Sequence, residues 1–339
     1  MRSRCAVAAL MVASLVLASS STQAQPQAGA FPCDVRTSDR IVAVGDVHGA
    51  FDQFVSILRA AGLIDERNRW SGGKAVLVQT GDILDRGPDS RKALDLLRRL
   101  EDESRRDGGA VYALLGNHEL MRLASDWRYV SKGEFDAFKT PSSEDLRKRA
   151  LAASRAEDER QFLKQIPPGY LEMLGAFSED GEYGEWLRAR PAVARINRIL
   201  FLHGGLTEMA ASLGCDGVNA AIRKDLASLP VPPGEMAALF AASENGPLWY
   251  RGLAIEPEAA LSPRLDAILQ RLDARAVVIG HTTVLPGKVA PRLGGKVIQI
   301  DTGMVAGRFY PGGVASALEI QGDKATAIYL DHREPLTLP

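Results

Sequence analysis

Apolar residues fall along this chain in short unbroken runs, each followed by a polar, glycine-containing loop and then by a helical pattern. Ile41-Val42-Ala43-Val44 shows no alternation of apolar and polar positions, which predicts a strand covered on both faces of its sheet. Phe51, Phe54, Val55 and Leu58 then recur at helical spacing, with Gly62 available to end that helix. Ala75 to Val78 predicts a second buried strand. Pro88 predicts the start of a helix whose Ala93, Leu94, Leu97 and Leu100 share one face before Gly108-Gly109. Val111 to Leu115 predicts a third strand, and strands alternating with helices indicate an α/β fold.

The rhythm changes after Leu123. Residues 124–190 read as charged helical segments broken by Pro141, Pro167-Pro168 and Gly181, and they predict a helical insertion over one edge. Strands resume at Ala192 to Ile196 and Ile199 to His203, with Asn197-Arg198 as a hairpin turn. A second mostly helical stretch, 207–275, leads to strands at Ala276 to Gly280, Lys296 to Ile300, Val314 to Ile320 and Ala325 to Leu330. The expected domain is therefore 40–330, preceded by a loosely packed linker at 25–39 and followed by a tail at 331–339.

The first 24 residues differ from the rest. Arg2 and Arg4 precede an apolar run from Cys5 to Ala18, and Thr22-Gln23-Ala24 is an acceptable cleavage site. The run is shorter than the roughly 20 residues of a spanning helix, so it predicts a signal peptide cut after Ala24, a secreted or periplasmic protein, and no lasting membrane anchor. Cys33 and Cys215 are the cysteines left after cleavage; in an oxidising compartment they either pair or stay as two separate buried thiols.

Composition adds exclusions. The 339 residues are 46% apolar and 24% charged, ample for a buried core. With 41 basic and 42 acidic residues the net charge is -1, too weak a field to predict a nucleic-acid partner or an anionic membrane surface.

The chemistry lies at the strand ends: Gly45-Asp46-Val47-His48-Gly49, Gly81-Asp82-Ile83-Leu84-Asp85-Arg86-Gly87, Gly116-Asn117-His118-Glu119, His203-Gly204-Gly205 and Gly280-His281-Thr282. Ligands in α/β sheets bind where strand ends converge, and the mixed oxygen and nitrogen set suits one or two divalent transition ions. A structural zinc site would be smaller, closed and less oxygen-rich. His332, near the terminus, lacks this context and reads as a surface residue.

These residues resemble the calcineurin-like metallophosphoesterases, and among them the phosphoprotein phosphatases with their GDxHG, GDxxDRG, GNHE, HGG and GH motifs, present in that order between about Ile41 and Ile320. The resemblance implies a four-layer α/β/β/α sandwich of two mixed sheets with flanking helices. It implies two divalent ions, manganese before iron or zinc, with Asp46, His48 and His281 on one, Asp82 bridging, and Asn117 with His203 on the other. Two such ions can share a bound hydroxide and clamp a phosphate for in-line displacement.

By the same resemblance His118 protonates the leaving oxygen, Asp85 orients it, and Arg86 binds phosphate, although Asp85 and Arg86 are also able simply to pair with each other. Arg251 is a second phosphate-binding candidate or the partner of a surface carboxylate, with Trp249 and Tyr250 as pocket wall or core. Asp301 either supports a metal-binding histidine or forms a turn.

Leu115 replaces the arginine that precedes GNHE in the common eukaryotic branch, and no SAPNY-like loop is present, so the chain looks closer to the Shewanella-like phosphatases. The expected substrate is a phosphorylated protein, peptide or small phosphoester, with phosphate on serine, threonine or tyrosine. Diadenosine tetraphosphate hydrolases are similar through Asp301-Thr302-Gly303 but generally lack an aspartate at the position of Asp85. A binding module without catalysis would be expected to lose a ligand, the acid or Arg86, and all are present.

Overall fold

Adjacent residues of one strand, β2 (Ile41–Val44), point into two different cores, and this alternation organises the fold. Ile41 and Ala43 join a core made by two sheets, whereas Val42 and Val44 pack with helical residues, so every position must be apolar. The computed structural model describes residues 32–154, 158–231 and 235–339. The expected signal peptide lies outside these residues, as does the beginning of the expected linker.

The first sheet runs in spatial order β12 (Arg333–Leu336), β11 (Lys324–Tyr329), β10 (Ser316–Gln321), β2, β3 (Val76–Gln79) and β4 (Ala110–Ala113). Strands β2, β3 and β4 are parallel, and the other three are antiparallel. The second runs β1 (Asp34–Val35), β5 (Val193–Ile196), β6 (Ile199–Leu202), β7 (Ala276–Ile279), β9 (Val297–Gln299) and β8 (Ala290–Arg292), with β6, β7 and β9 parallel. Phe201, Val278 and Ile298 of this sheet meet Val76, Val78 and Leu318 of the other.

Helices cover the outer faces. Phe54 and Leu58 of α1 (Phe51–Ala60) and Leu94 and Leu97 of α2 (Ser90–Arg106) pack on the first sheet. After β4 comes α3 (Asn117–Leu123), and the insertion then contributes α4 (Lys132–Ala137), α5 (Ser143–Ser154), α6 (Glu159–Gln165), α7 (Tyr170–Ala176) and α8 (Glu182–Arg188). Between β6 and β7 lie α9 (Glu208–Ser212), α10 (Gly214–Ala227), α11 (Gly252–Ile255) and α12 (Glu258–Arg271), which cover the second sheet. Asn197 and Arg198 both take positive φ, 51° and 63°, and make the tight turn between β5 and β6.

Three short strands depart from the sequence expectation. Residues 34–35 of the expected linker form β1, parallel to β5, and Cys33 is buried in a disulfide with Cys215. The expected tail supplies β12, and β8 precedes β9. Pro291 in β8 and Pro335 in β12 are tolerated because both strands are sheet edges, where the missing N–H leaves no ladder bond broken in the interior. No helix among the described residues is long and apolar enough to cross a membrane.

Candidate metal centre and active site

Strands β2, β3, β6 and β7 run in register, so the loops that follow Val44, Gln79, Leu202 and Ile279 leave the two sheets at neighbouring points. Those loops are held in uncommon backbone conformations: His48, Asp82, Asp85, Arg86 and His281 all have φ between 48° and 71°. Each such residue costs on the order of 1–3 kcal/mol unless its surroundings enforce it. Part of the enforcement comes from Glu119, whose buried carboxylate accepts the N–H groups of Asp82, Ile83, Leu84 and Gly116 at 2.8–3.3 Å. Glycine is required at Gly116 and Gly280, since a Cβ there would fall on Oδ1 of Asp82 and of Asp46, respectively.

Asp82 occupies the centre. Its Oδ2 lies 3.5 Å from Nε2 of His48, and its Oδ1 lies 3.3 Å from Nε2 of His203, so its two oxygens face two histidines. The Nε2 of His203 is also 2.9 Å from Oδ1 of Asn117. Oδ1 of Asp46 accepts the backbone N–H of His281 at 3.0 Å, and its Oδ2 is 3.7 Å from Nε2 of His48. All six residues are buried.

The expected grouping of His281 with Asp46 and His48 is corrected by this geometry. Ligand atoms of His281 cluster instead with those of Asp82 and His203. The reason is topological: His281 follows β7, the parallel neighbour of β6, whose end carries His203, and the two rings lie 4.7 Å apart.

The donor set fits divalent cations. Nδ1 of His48 bonds the Leu84 carbonyl at 2.8 Å and Nδ1 of His203 bonds the Thr80 carbonyl at 2.9 Å, which aims both Nε2 atoms inward. Nε2 of His281 bonds the Trp249 carbonyl at 3.1 Å, leaving Nδ1. Burial lowers the pKa of His48 to about 3 and that of His281 to about 2, so both rings are neutral, as metal ligands must be. Burial, together with the neighbouring charges of Asp301 and Asp82, pushes the Asp46 carboxyl well above its usual value. Two carboxylates enclosed this closely repel each other, and a pair of metal ions would offset that repulsion.

His118 stands one residue beyond Asn117 on α3. Its Nδ1 is 2.6 Å from Oδ2 of Asp85, and its Nε2 points toward Asp82, 3.8 Å from Oδ2. Burial acts to lower the His118 pKa, but the charge of Asp82 and the bond to Asp85 outweigh it and raise the value. Asp85 does not pair with Arg86. Its other oxygen meets Nη2 of Arg122 at 2.5 Å, and Arg122 also reaches Oε1 of Glu134 at 3.1 Å.

Arg86 is half-buried, with its guanidinium against Nε2 of His48 and between the rings of Tyr129 and Tyr310, 5.9 and 5.3 Å from their centroids. Arg251 is exposed and forms no ion pair among the described residues; it donates to the His281 carbonyl at 2.8 Å and to Oγ1 of Thr282 at 3.0 Å. Asp301 forms a turn by accepting the Gly303 N–H at 3.0 Å and receives the Thr283 hydroxyl at 2.5 Å. His332 is at the surface, stacked on Tyr329. Trp249 and Tyr250 are half-buried at the edge of the core, the former lending its carbonyl to His281.

Sequence reasoning gave no role to Arg122, Glu134, Tyr129 or Tyr310, and none to Glu119 beyond its place in a motif. Glu119 was accessible as the last residue of GNHE. Arg122, Tyr129 and Glu134 sit in or beside the mixed-charge insertion, which resembles solvated helices, and Tyr310 sits in a glycine-rich loop without a motif.

The sequence matches the family described as calcineurin-like phosphoesterase over residues 39–285. It is 29% identical to Shewanella-like protein phosphatase 2 of Arabidopsis thaliana over 86% of this chain and 77% of that protein. A cold-active protein-tyrosine phosphatase of a psychrophilic Shewanella species superposes with a TM-score of 0.71 at 29% identity, covering 91% of this chain and 83% of the other. The symmetrical bis(5'-nucleosyl)-tetraphosphatase of Neisseria gonorrhoeae is also 29% identical, but over 48% of this chain and 42% of its own.

Proposed function

The chain belongs to the calcineurin-like phosphoesterase family, and from that premise we propose that it is a metal-dependent phosphatase that removes phosphate from phosphorylated proteins or peptides. The observation that carries this reading is the convergence of Asp46, His48, Asp82, Asn117, His203 and His281 on one buried site, with the His118–Asp85 pair beside it. Those six residues would hold two divalent ions, for which manganese is our first assignment and iron or zinc the alternatives. When bound, such ions polarise a phosphoryl group and lower the pKa of water.

The chain's own groups supply the rest. Arg86 presents a planar fork to two phosphate oxygens and is held between Tyr129 and Tyr310. Arg251 stands next to His281 and Thr282 and assists in holding the ester. The Nδ1–H of His118 is oriented by Asp85, leaving Nε2 to deliver a proton to the departing oxygen. Export to the periplasm or beyond, directed by residues 1–24, is part of the proposal and rests on their charge and apolar pattern.

Turnover of a phosphopeptide panel beside diadenosine tetraphosphate, with metal content measured on the same sample, tests this reading. Hydrolysis of phosphopeptides with little action on the dinucleotide supports it. The reverse preference favours a dinucleoside polyphosphate hydrolase, the reading toward which the partial Neisseria match points.

A further inference from the structure

The helical insertion closes over a buried charge cluster whose Arg122 and Glu134 the phosphatase chemistry above does not use. Arg122, at the end of α3, is 2% exposed, and Glu134, on α4, is 1% exposed. One Nη2 of Arg122 contacts both Asp85 and Glu134, at 2.5 and 3.1 Å, while Nη1 reaches Sδ of Met173 on α7 at 3.3 Å. The guanidinium lies 5.3 Å from the Trp127 ring and 4.9 Å from the Phe177 ring, both in the insertion. Oε1 of Glu134 also accepts the backbone N–H of Asp85 at 3.2 Å, and its Oε2 accepts the Ser131 N–H at 3.0 Å. The carbonyl of Tyr129 accepts the next N–H, that of Arg86, at 3.0 Å. The insertion therefore grips the left-handed Asp85-Arg86 turn through side chain and backbone together.

An arginine this deeply enclosed is costly, and mere stability is served as well by apolar residues of similar volume. What the cluster uniquely achieves is direction: Oδ1 of Asp85 is fixed by Arg122, so Oδ2 can face only Nδ1 of His118. We propose that Arg122 and Glu134 are positioning residues that act through Asp85 to aim His118 at the leaving oxygen, making α4 of the insertion part of the proton-donating apparatus. This rests on the reading of His118 as the acid.

The test compares two aryl phosphates in the full-length, metal-loaded protein: 2,4-dinitrophenyl phosphate, whose leaving group departs without a proton, and phenyl phosphate, whose leaving group needs one. His118→Asn is expected to lower kcat for phenyl phosphate by about 10²–10⁴ more than for the dinitrophenyl ester. Arg122→Met and Glu134→Gln are expected to show the same selective loss, about 10- to 100-fold, with metal content unchanged. If Arg122→Met fails to fold, Glu134→Gln decides alone, since it keeps the side chain's size. Equal slowing of both esters in Glu134→Gln, or no change, alongside selective loss in His118→Asn, overturns the positioning role. Equal slowing in His118→Asn itself overturns the acid reading beneath it, and the proposal with it.

Discussion

Asp85 and His118 meet at 2.6 Å with both side chains closed to solvent, and the carboxylate is shared with Arg122. Burial acts to raise the Asp85 pKa, but the Arg122 charge and the His118 bond and charge prevail and hold it below the usual 3.8. A carboxyl lowered in the folded state stabilises it above the unfolded value and ceases to do so as pH falls through the folded one. Asp85→Asn is therefore expected to cost about 3 kcal/mol near neutral pH, a deficit that shrinks as pH falls below 3.8. Urea unfolding of both metal-free proteins across acid pH measures this; a deficit independent of pH contradicts it.

Arg86 lies against Tyr129 and Tyr310, so its planar fork has both a direction set by the two rings and a stacking surface. Lysine offers neither. Arg86→Lys is expected to lower kcat/KM for aryl phosphates by about 10²-fold, in line with the loss of a bidentate, charge-assisted contact. Metal content is expected to stay at the parent level. Steady-state kinetics beside elemental analysis checks both halves, and unchanged kcat/KM contradicts the role.

Glu119 gathers four backbone N–H groups from two of the site's loops, Asp82 to Leu84 and Gly116. Replacing one carboxylate oxygen with an amide NH₂ sets donor against donor in a buried place. Glu119→Gln is expected to destabilise the fold by about 2–3 kcal/mol and to weaken metal binding, because Asp82 loses its support. Denaturant midpoints and metal titration report the two effects, and a stability within about 0.5 kcal/mol of the parent contradicts the account.

These sites were not equally legible in the sequence. The strand-end loops stood out because ligand-type residues sit beside glycines immediately after unbroken apolar runs, and the sheet brings such ends together whatever their separation in the chain. The split between the two candidate ions was not legible: the order of motifs does not reveal that β7 neighbours β6, which is what places His281 beside His203. Arg122 and Glu134 were hidden because, in a run of mixed charges, burial is decided by Trp127, Met173 and Phe177 arriving from other turns of the insertion. Strands β1, β8 and β12 were missed for a different reason. They are edge segments of two to four residues, two of them containing proline, and carry too few apolar positions to show a period.

The central claim is that Asp82 and its neighbours bind cations while His118 acts on the leaving group without holding metal. The most direct measurement is metal content by elemental mass spectrometry, beside turnover of phenyl phosphate, in Asp82→Asn and His118→Asn. The account predicts that both variants lose turnover by at least about 10²-fold and that only Asp82→Asn loses its bound metal. Full turnover in either variant, or metal lost equally from both, would contradict it.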